Sequence, residues 1–419
     1  MFQRTALIIR IGFFLAIRQI RRASPWTTGL IVFVMVLTFL NLVVVSGILV
    51  GLIQGSINEV RTQFTGDIII SAPDDKKYIE NSPNLIALVA SIPEVKALSP
   101  RYSAGALLEA NYKTRKETDK PDTANAQVFG IDPEKENAVT GLASLIGEGR
   151  YLSAGDYDKV VIGQFLLSQY VPIDDPNFAA LDNVTVGSRI RLTVGSLTRE
   201  VTVKGIITSK VDALTRNVFM VDSQFRSMIG RNDGNVAQIA VLLDDGADAT
   251  AAREKLALYG AATFAKVQTF EEALPKFLQD IVNTFNMLGS GFSSIGLVVA
   301  SITIFIVIFI NALTRRKHIG IMKGIGIEAN AIQLSYVFQS IFYALLGSAI
   351  GLLLVYGFLV PFIAAHPINF PFSDGILVAP WGETMFRIAL LVSSTVIAGF
   401  IPARMIVRKN TLDSILGRN

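Results

Sequence analysis

Residues 288–317 read LGSGFSSIGLVVASITIFIVIFINALTRRK: an unbroken apolar run closed abruptly by Arg315-Arg316-Lys317. No charged side chain falls between Leu288 and Leu313. That exceeds the ~20 residues an α-helix needs to cross a ~30 Å hydrocarbon core. Three further runs meet the same criterion, at about Thr27–Ile53, Ile332–Leu359 and Ile388–Val407. The first is far longer than the ~7–15-residue apolar core of a secretory signal, and no small-residue cleavage site follows it, so it reads as an uncleaved helix.

The composition agrees. Of 419 residues, 51% are hydrophobic and 17% charged, with mean hydropathy +0.47; soluble domains carry about a quarter charged residues. The deficit is concentrated in the four runs, whereas Asn58 to about Asp280 resembles ordinary globular sequence, long enough for its own core. Cysteine is absent, which excludes disulfides, thiolate metal sites and a cysteine nucleophile within this sequence, and no lipoprotein anchor is expected at its N-terminus.

The formal net charge is +4, and its placement sets orientation. Cations crowd the borders of the runs: Arg4, Arg10, Arg18, Arg21 and Arg22; Arg315, Arg316, Lys317 and Lys323; Arg404, Arg408, Lys409 and Arg418. The loop from Ala365 to Met385 has no Arg or Lys and carries Phe370, Phe372 and Trp381, suited to an interfacial belt. This positive-inside pattern predicts cytoplasmic termini and an outer domain, and no nucleic-acid partner. Charged residues are missing from the spans, so no polar solute path is evident.

The expected fold is membrane α-helical, four transmembrane helices with an inserted extracytoplasmic α+β domain. Residues 1–26 form a cytoplasmic amphipathic helix, with Leu7, Ile11, Phe14 and Leu15 at helical spacing. Then come transmembrane helix 1 (27–53), the outer domain (58–280), a stalk and helix 2 (281–313), a cytoplasmic segment (314–331), helix 3 (332–359), an outer loop (365–386), helix 4 (388–407) and a tail (408–419). Within the domain, strands are expected at Asp67–Ser71, Ala104–Ala110, Gln127–Ile131, Val160–Ile162, Arg189–Val194, Glu200–Ile207 and Ala237–Leu243. Val194–Leu197 marks a hairpin, and Asn84–Ile92, Phe165–Tyr170 and Ala249–Leu258 read as helices. Lys113–Asn125 and Val171–Leu181 read as exposed loops.

Small residues repeat every three or four positions: Gly47, Gly51 and Gly55; Gly289, Ser293, Gly296 and Ala300; Gly347 and Gly351. Such stripes let helix backbones approach, either within one subunit or along a moving seam. Asn41 and Gln339 are uncharged amides inside the runs, best read as interhelical hydrogen-bond partners. No catalytic constellation is visible. There is no GxxxxGK[ST] loop and no GxSxG elbow, and neither His318 nor His366 has a partner at metal-ligand spacing. The paired carboxylates Asp74-Asp75, Asp174-Asp175, Asp244-Asp245 and Glu271-Glu272 read as solvated surface.

Two segments carry a resemblance. Arg315-Arg316-Lys317-His318-Ile319-Gly320-Ile321-Met322-Lys323-Gly324-Ile325-Gly326 resembles the RRREIGILRALGA segment of MacB/FtsX/LolC-type ABC transporter permeases, the mechanotransmission class. Ile401-Pro402-Ala403-Arg404 with Asn410–Leu416 resembles that family's PARRAARLDPVEALR ending. His318 replaces a usual Glu, and Asn410-Thr411 the commoner Asp-Pro. In the inserted domain, Ile92–Arg101, Phe129–Pro133, Gly147–Arg150 and Val203–Ile206 are similar in order to the family's periplasmic module, and Phe64–Ile70 with Tyr78–Asn81 to LolC/LolE-type sequences.

The resemblance implies a permease that binds no cofactor, with Mg-ATP hydrolysed in partner ABC ATPase subunits. Further implied partners are a second permease copy or homologue, membrane lipids, and a periplasmic or cell-wall protein. It casts Arg315, Arg316, Lys317, His318, Ile319, Gly320, Met322, Lys323, Gly326, Pro402 and Arg404 as the ATPase-coupling element. Lipoprotein release is the nearest subgroup; the alternative is a non-transporting FtsX-like regulator of a cell-wall hydrolase. The expected location is the inner membrane.

Overall fold

The computed structural model describes residues 2–116, 120–171, 179–274, 276–370, 373–375 and 377–408. Asp174, Asp175, Pro275, Phe372, Lys409, Arg418 and the Asn410–Leu416 stretch lie outside the described residues. The chain forms two units: a helical one (residues 1–54, 279–370 and 374–419) and an inserted one (55–278 and 371–373).

In chain order the helices are α1 (Phe2–Arg21), α2 (Pro25–Leu40), α3 (Ser46–Val60), α4 (Ser82–Ala90), α5 (Pro133–Thr140), α6 (Asp212–Thr215), α7 (Asp222–Met228), α8 (Ala249–Leu258), α9 (Lys276–Thr314), α10 (Arg316–Gly324), α11 (Ala329–Leu354), α12 (Val360–Ala365) and α13 (Trp381–Val407). Among the described residues, four helical stretches are long and apolar enough to span a membrane: Pro25–Thr65, Asn283–Thr314, Ala329–Ala365 and Trp381–Val407.

Each stretch extends beyond its apolar run, because helix ends are set by caps and breakers and not by hydropathy. The first continues to Thr65 through two π-helical segments, Asn41–Val45 and Arg61–Thr65. It ends at Gly66, whose φ of +71° a side chain would resist. The fourth begins at Trp381, not Ile388, because Pro380 stands at its N-cap in extended geometry. A proline there forfeits no helical hydrogen bond. This moves Glu383 and Arg387 into the helix and corrects the expectation of charge-free spans.

In the helical unit, Ile31, Met35 and Phe39 of α2 are buried with Ile304 and Ile308 of α9, Tyr336 and Tyr343 of α11, and Leu391 and Ala398 of α13. Gly347 and Gly351 make the α2–α11 contact possible. A Cβ on Gly347 would lie 2.4 Å from Met35 Cβ, and one on Gly351 2.2 Å from Phe39 Cδ1. That pair therefore serves packing inside one chain. Gly296 faces Asn41, while Gly289, with 3.5 Å to its nearest neighbour, has ordinary clearance. Gly47 and Gly51 are buried and Gly55 half-buried.

Helix α1 packs along the first turns of α11. A Cβ on Gly12 would meet Ala331 O at 3.1 Å and Leu334 Cβ at 3.2 Å, and the Phe13 and Phe338 rings meet edge to face at 5.6 Å. Gln339 donates to Gln19 across the pair. The backbone thus sits on α11 through Gly12 and Ala16, leaving Leu7 and Phe14 of the expected apolar stripe exposed.

The strands of the inserted unit are β1 (Ile68–Ser71), β2 (Val95–Ala110), β3 (Asp122–Ile131), β4 (Ile146–Gly149), β5 (Lys159–Gly163), β6 (Arg189–Val194), β7 (Leu197–Ile207), β8 (Val218–Val221), β9 (Gln238–Leu243) and β10 (Lys266–Thr269). They follow the order β10-β1-β9-β2-β3-β8-β5-β7-β4, and β6 pairs with both β2 and β7. The path β2-β3-β8-β5-β7-β6 therefore closes into a six-stranded ring, a geometry that leaves no free edge among its members. Alternate residues such as Leu108, Val128, Ile190, Leu192, Val201 and Val203 fill it. The other lobe, β10-β1-β9 with the first part of β2, packs Ile68, Ile70, Ile239 and Val241 against Leu85 and Val89 of α4 and Leu256 of α8.

Strand β2 serves both lobes: Val95–Arg101 pairs with β9, and Tyr102–Ala110 with β3. At the join, Arg101 and Glu136 are fully buried and paired through two hydrogen bonds, Nε to Oε2 at 2.8 Å and Nη2 to Oε1 at 2.7 Å. Arg101 Nη2 also donates to Phe64 O at 2.7 Å, and its guanidinium lies 4.7 Å from the Phe64 ring centre. Two expectations change. Phe165–Tyr170 holds two 3₁₀ turns, too short for an α-helix, and β3 already begins at Asp122, within the loop expected to reach Asn125. The 365–386 loop holds a small strand pair, Ile368–Phe370 with Ser373–Gly375.

Candidate coupling site

The basic cluster after the second spanning helix is not a loop. Helix α9 stops at Thr314, Arg315 turns with φ −98° and ψ 12°, and α10 runs from Arg316 to Gly324. Gly326, at φ +95°, reverses the chain, and Glu328 opens α11 from an extended N-cap conformation. A non-glycine residue would be strained at Gly326, so the turn fixes where α10 ends.

One face of α10 turns into the helical unit. Ile319 is 1% exposed and shares the buried cluster of Ala403, Ile406 and Val407 at the end of α13. Gly320 is also buried. Lys323 Nζ donates to Val407 O at 3.0 Å, placing a cation on the last carbonyls of α13, where it is favoured. Pro402 lies buried inside α13, and Arg404 is exposed beside Phe400, 5.9 Å from the ring centre.

The other face is open. Lys317, His318, Ile321, Gly324 and Ile325 are exposed, Ile321 at 52% and Ile325 at 74%. Positions 317, 321 and 324/325 recur at helical spacing, so they share one stripe. Arg315, Arg316, Met322 and Lys323 are half-buried, and Gly326 is exposed. Nearby, Arg4 of α1 bridges Glu328 at 2.7 Å, an exposed contact of little energetic weight.

The residues expected here thus divide: Lys317 and His318 are exposed, Ile319 and Lys323 hold α10 to the end of α13, and Gly320 and Pro402 are buried. Ile321 and Ile325, the two apolar side chains of the open stripe, were absent from the expected set. Their helical spacing to Lys317 was the signal that could have found them. Among the described residues no three His, Cys, Asp or Glu side chains gather to hold a metal ion.

A family model described as the MacB-like periplasmic core domain matches residues 32–259, more than half of the chain. A second, the FtsX-like permease C-terminal, matches residues 290–411. An uncharacterised ABC transporter permease of Methanocaldococcus jannaschii is 27% identical over 197 residues, covering 44% of this chain and 47% of that protein. The macrolide export ATP-binding/permease protein MacB of Hahella chejuensis is 24% identical over 196 residues, covering 45% of this chain and 28% of that protein. The chain spans less than half the length of these curated relatives. Among solved structures, the periplasmic region of MacB from Actinobacillus actinomycetemcomitans aligns at TM-score 0.36 and 15% identity, over 51% of this chain and 92% of that one. With one model on the inserted unit and another on the helices after it, this chain belongs to the MacB/FtsX-type family of ABC transporter permeases.

Proposed function

We propose that this chain is the membrane subunit of an ABC transporter whose ATP hydrolysis takes place in a separate cytoplasmic ATPase. The observation that carries this reading is the outward stripe of α10, with Ile321 and Ile325 exposed beside Lys317 while Ile319 and Lys323 hold the helix to the unit. An apolar pair of that size on a short, well-anchored helix suits insertion into a cleft of a partner protein. The cations around it support a partner and both termini on the cytoplasmic side, with the inserted unit outside the inner membrane. The transporter works as a dimer with a second permease copy or a homologue. Mg-ATP belongs to the partner, and this chain passes the resulting motion to its outer unit. An amphiphile such as a lipoprotein, taken from the outer leaflet, is the cargo class this arrangement serves best.

The test is co-purification with an ABC ATPase subunit from the same cell and hydrolysis in lipid, comparing wild type with the pair Ile321→Asp and Ile325→Asp. Burial of an isoleucine contributes about 1.5–3 kcal/mol, so losing two reduces complex retention at least tenfold. A variant that co-purifies and hydrolyses like wild type would sink the assignment of α10.

A further inference from the structure

Arg387 is a charged side chain where the membrane makes charge expensive. It lies six residues after the start of α13, about 9 Å along the helix, and some 30 Å from the Val407 end that meets α10. Its side chain is only 15% exposed. Arg387 Nη2 donates to Glu383 Oε2 at 3.1 Å, and Nη1 to Val43 O at a long 3.5 Å. A guanidinium has five N–H donors, and among the described residues these two contacts use two of them.

Arg387 also lines a cavity of about 390 Å³ between α3, α9 and α13. Ser46 and Ser293, hydrogen-bonded to each other at 2.9 Å, form a polar stretch of its wall. Phe386 and Leu390, on the same helix as Arg387, are 65% and 39% exposed and present apolar surface beside it. A cation with spare donors, a polar wall and an apolar flank together match the head and first methylenes of a lipid.

We propose that this cavity seats the phosphate of an anionic phospholipid from the surrounding leaflet, held by Arg387, with an acyl chain along Phe386 and Leu390. The planar guanidinium matches a phosphate through two parallel hydrogen bonds. An anionic head is favoured over a choline head because the latter would bring a second cation beside Arg387. Glu383, 53% exposed, is free to turn to water when the phosphate arrives. This site is independent of the ATPase contact, and its test uses the permease chain alone.

Purified full-length chain is incubated with equimolar dioleoylphosphatidylglycerol and dioleoylphosphatidylcholine, and retained lipid is counted by native mass spectrometry. Wild type retains phosphatidylglycerol with about tenfold preference, the scale of one charge-assisted contact. Arg387→Gln abolishes the preference, and Arg387→Lys keeps part of it. Glu383→Gln, which removes the competing carboxylate and leaves the cation, raises retention. Equal retention of both lipids by wild type, or an undiminished preference in Arg387→Gln, overturns the proposal. Should Arg387→Gln fail to fold, Glu383→Gln decides: reduced phosphatidylglycerol retention there assigns Arg387 a structural pairing role alone.

Discussion

Arg101→Met removes one half of the ion pair at the junction of the two lobes. Both side chains are fully buried, so the Glu136 carboxylate loses two charged hydrogen bonds and keeps those from Ser99 Oγ at 2.7 Å and Thr140 Oγ1 at 3.1 Å. Phe64 O loses its donor as well. Breaking a buried pair from one side costs about 3–5 kcal/mol. For a unit of this size, 1 kcal/mol corresponds to about 2–4 °C, so Tm falls by roughly 6–20 °C. The double change Arg101→Met, Glu136→Leu removes both charges and recovers more than half of that loss, because an apolar pair is often as stable as an ionic one. Recovery is incomplete because Ser99 has then lost its acceptor, a cost of about 1–3 kcal/mol. Thr140 keeps its bond to Glu136 O at 2.8 Å. The assay is thermal unfolding of detergent-purified full-length chain, followed by near-ultraviolet circular dichroism. A single-variant shift below about 3 °C, well under the range set by the linkage of energy to Tm, would refute the reasoning; so would a double variant no more stable than the single one.

Two other perturbations test the packing and the electrostatics. Gly347→Ala places a methyl 2.4 Å from Met35 Cβ and is expected to cost about 1–3 kcal/mol through overpacking. Gly289→Ala, with 3.5 Å of clearance, should leave thermal stability in detergent unchanged; equal effects at the two sites would contradict the assigned contact. Burial would raise the Asp156 carboxyl, but bonds from Lys204, Ser153 and Lys159 outweigh it and hold the group well below the usual carboxylate range. A depressed carboxylate stabilises the fold above its unfolded pKa of about 3.9 and loses that contribution as pH falls toward its folded value. Wild type therefore loses stability between about pH 5 and 2, and Asp156→Asn loses less over the same window in denaturant melts; parallel curves would exclude the linkage.

The helical unit was legible in sequence because apolar length is nearly sufficient to specify a spanning helix. The hairpin at Val194–Leu197 and helix α8 were legible for local reasons, a turn glycine and an Asp248 cap that accepts from the Thr250 and Ala251 N–H groups. The alternation at Ala104–Ala110 covers less than half of strand β2, since Pro100 argues against a strand in isolation, although it pairs opposite Ile239. Ring closure through β6 rests on pairing with β2, some eighty residues earlier, and leaves no local signature. Arg387 lies outside the apolar run at Ile388–Val407, and only the cap at Pro380 brings it into the helix. Helical spacing groups the outward stripe of α10 with Lys317, but Ile319 and Ile321 are equally apolar and only packing against α13 decides which is buried.

The lobe that contains β1 also has a schedule imposed on it. Ile68–Ser71 finds its neighbour, Gln238–Leu243, about 170 residues later in the chain, with the whole six-stranded ring encoded between them. At ~5–20 residues per second of synthesis, three consecutive isoleucines wait about 10–30 s with both strand edges unpaired. Such a segment is a template for wrong pairing while it waits. The ring, whose members all lie between Val95 and Val221, is complete before β9 emerges. The Val95–Arg101 part of β2, which lies outside the ring, then offers β9 a fixed edge, so the second lobe assembles on a finished template and not from a collapsed chain.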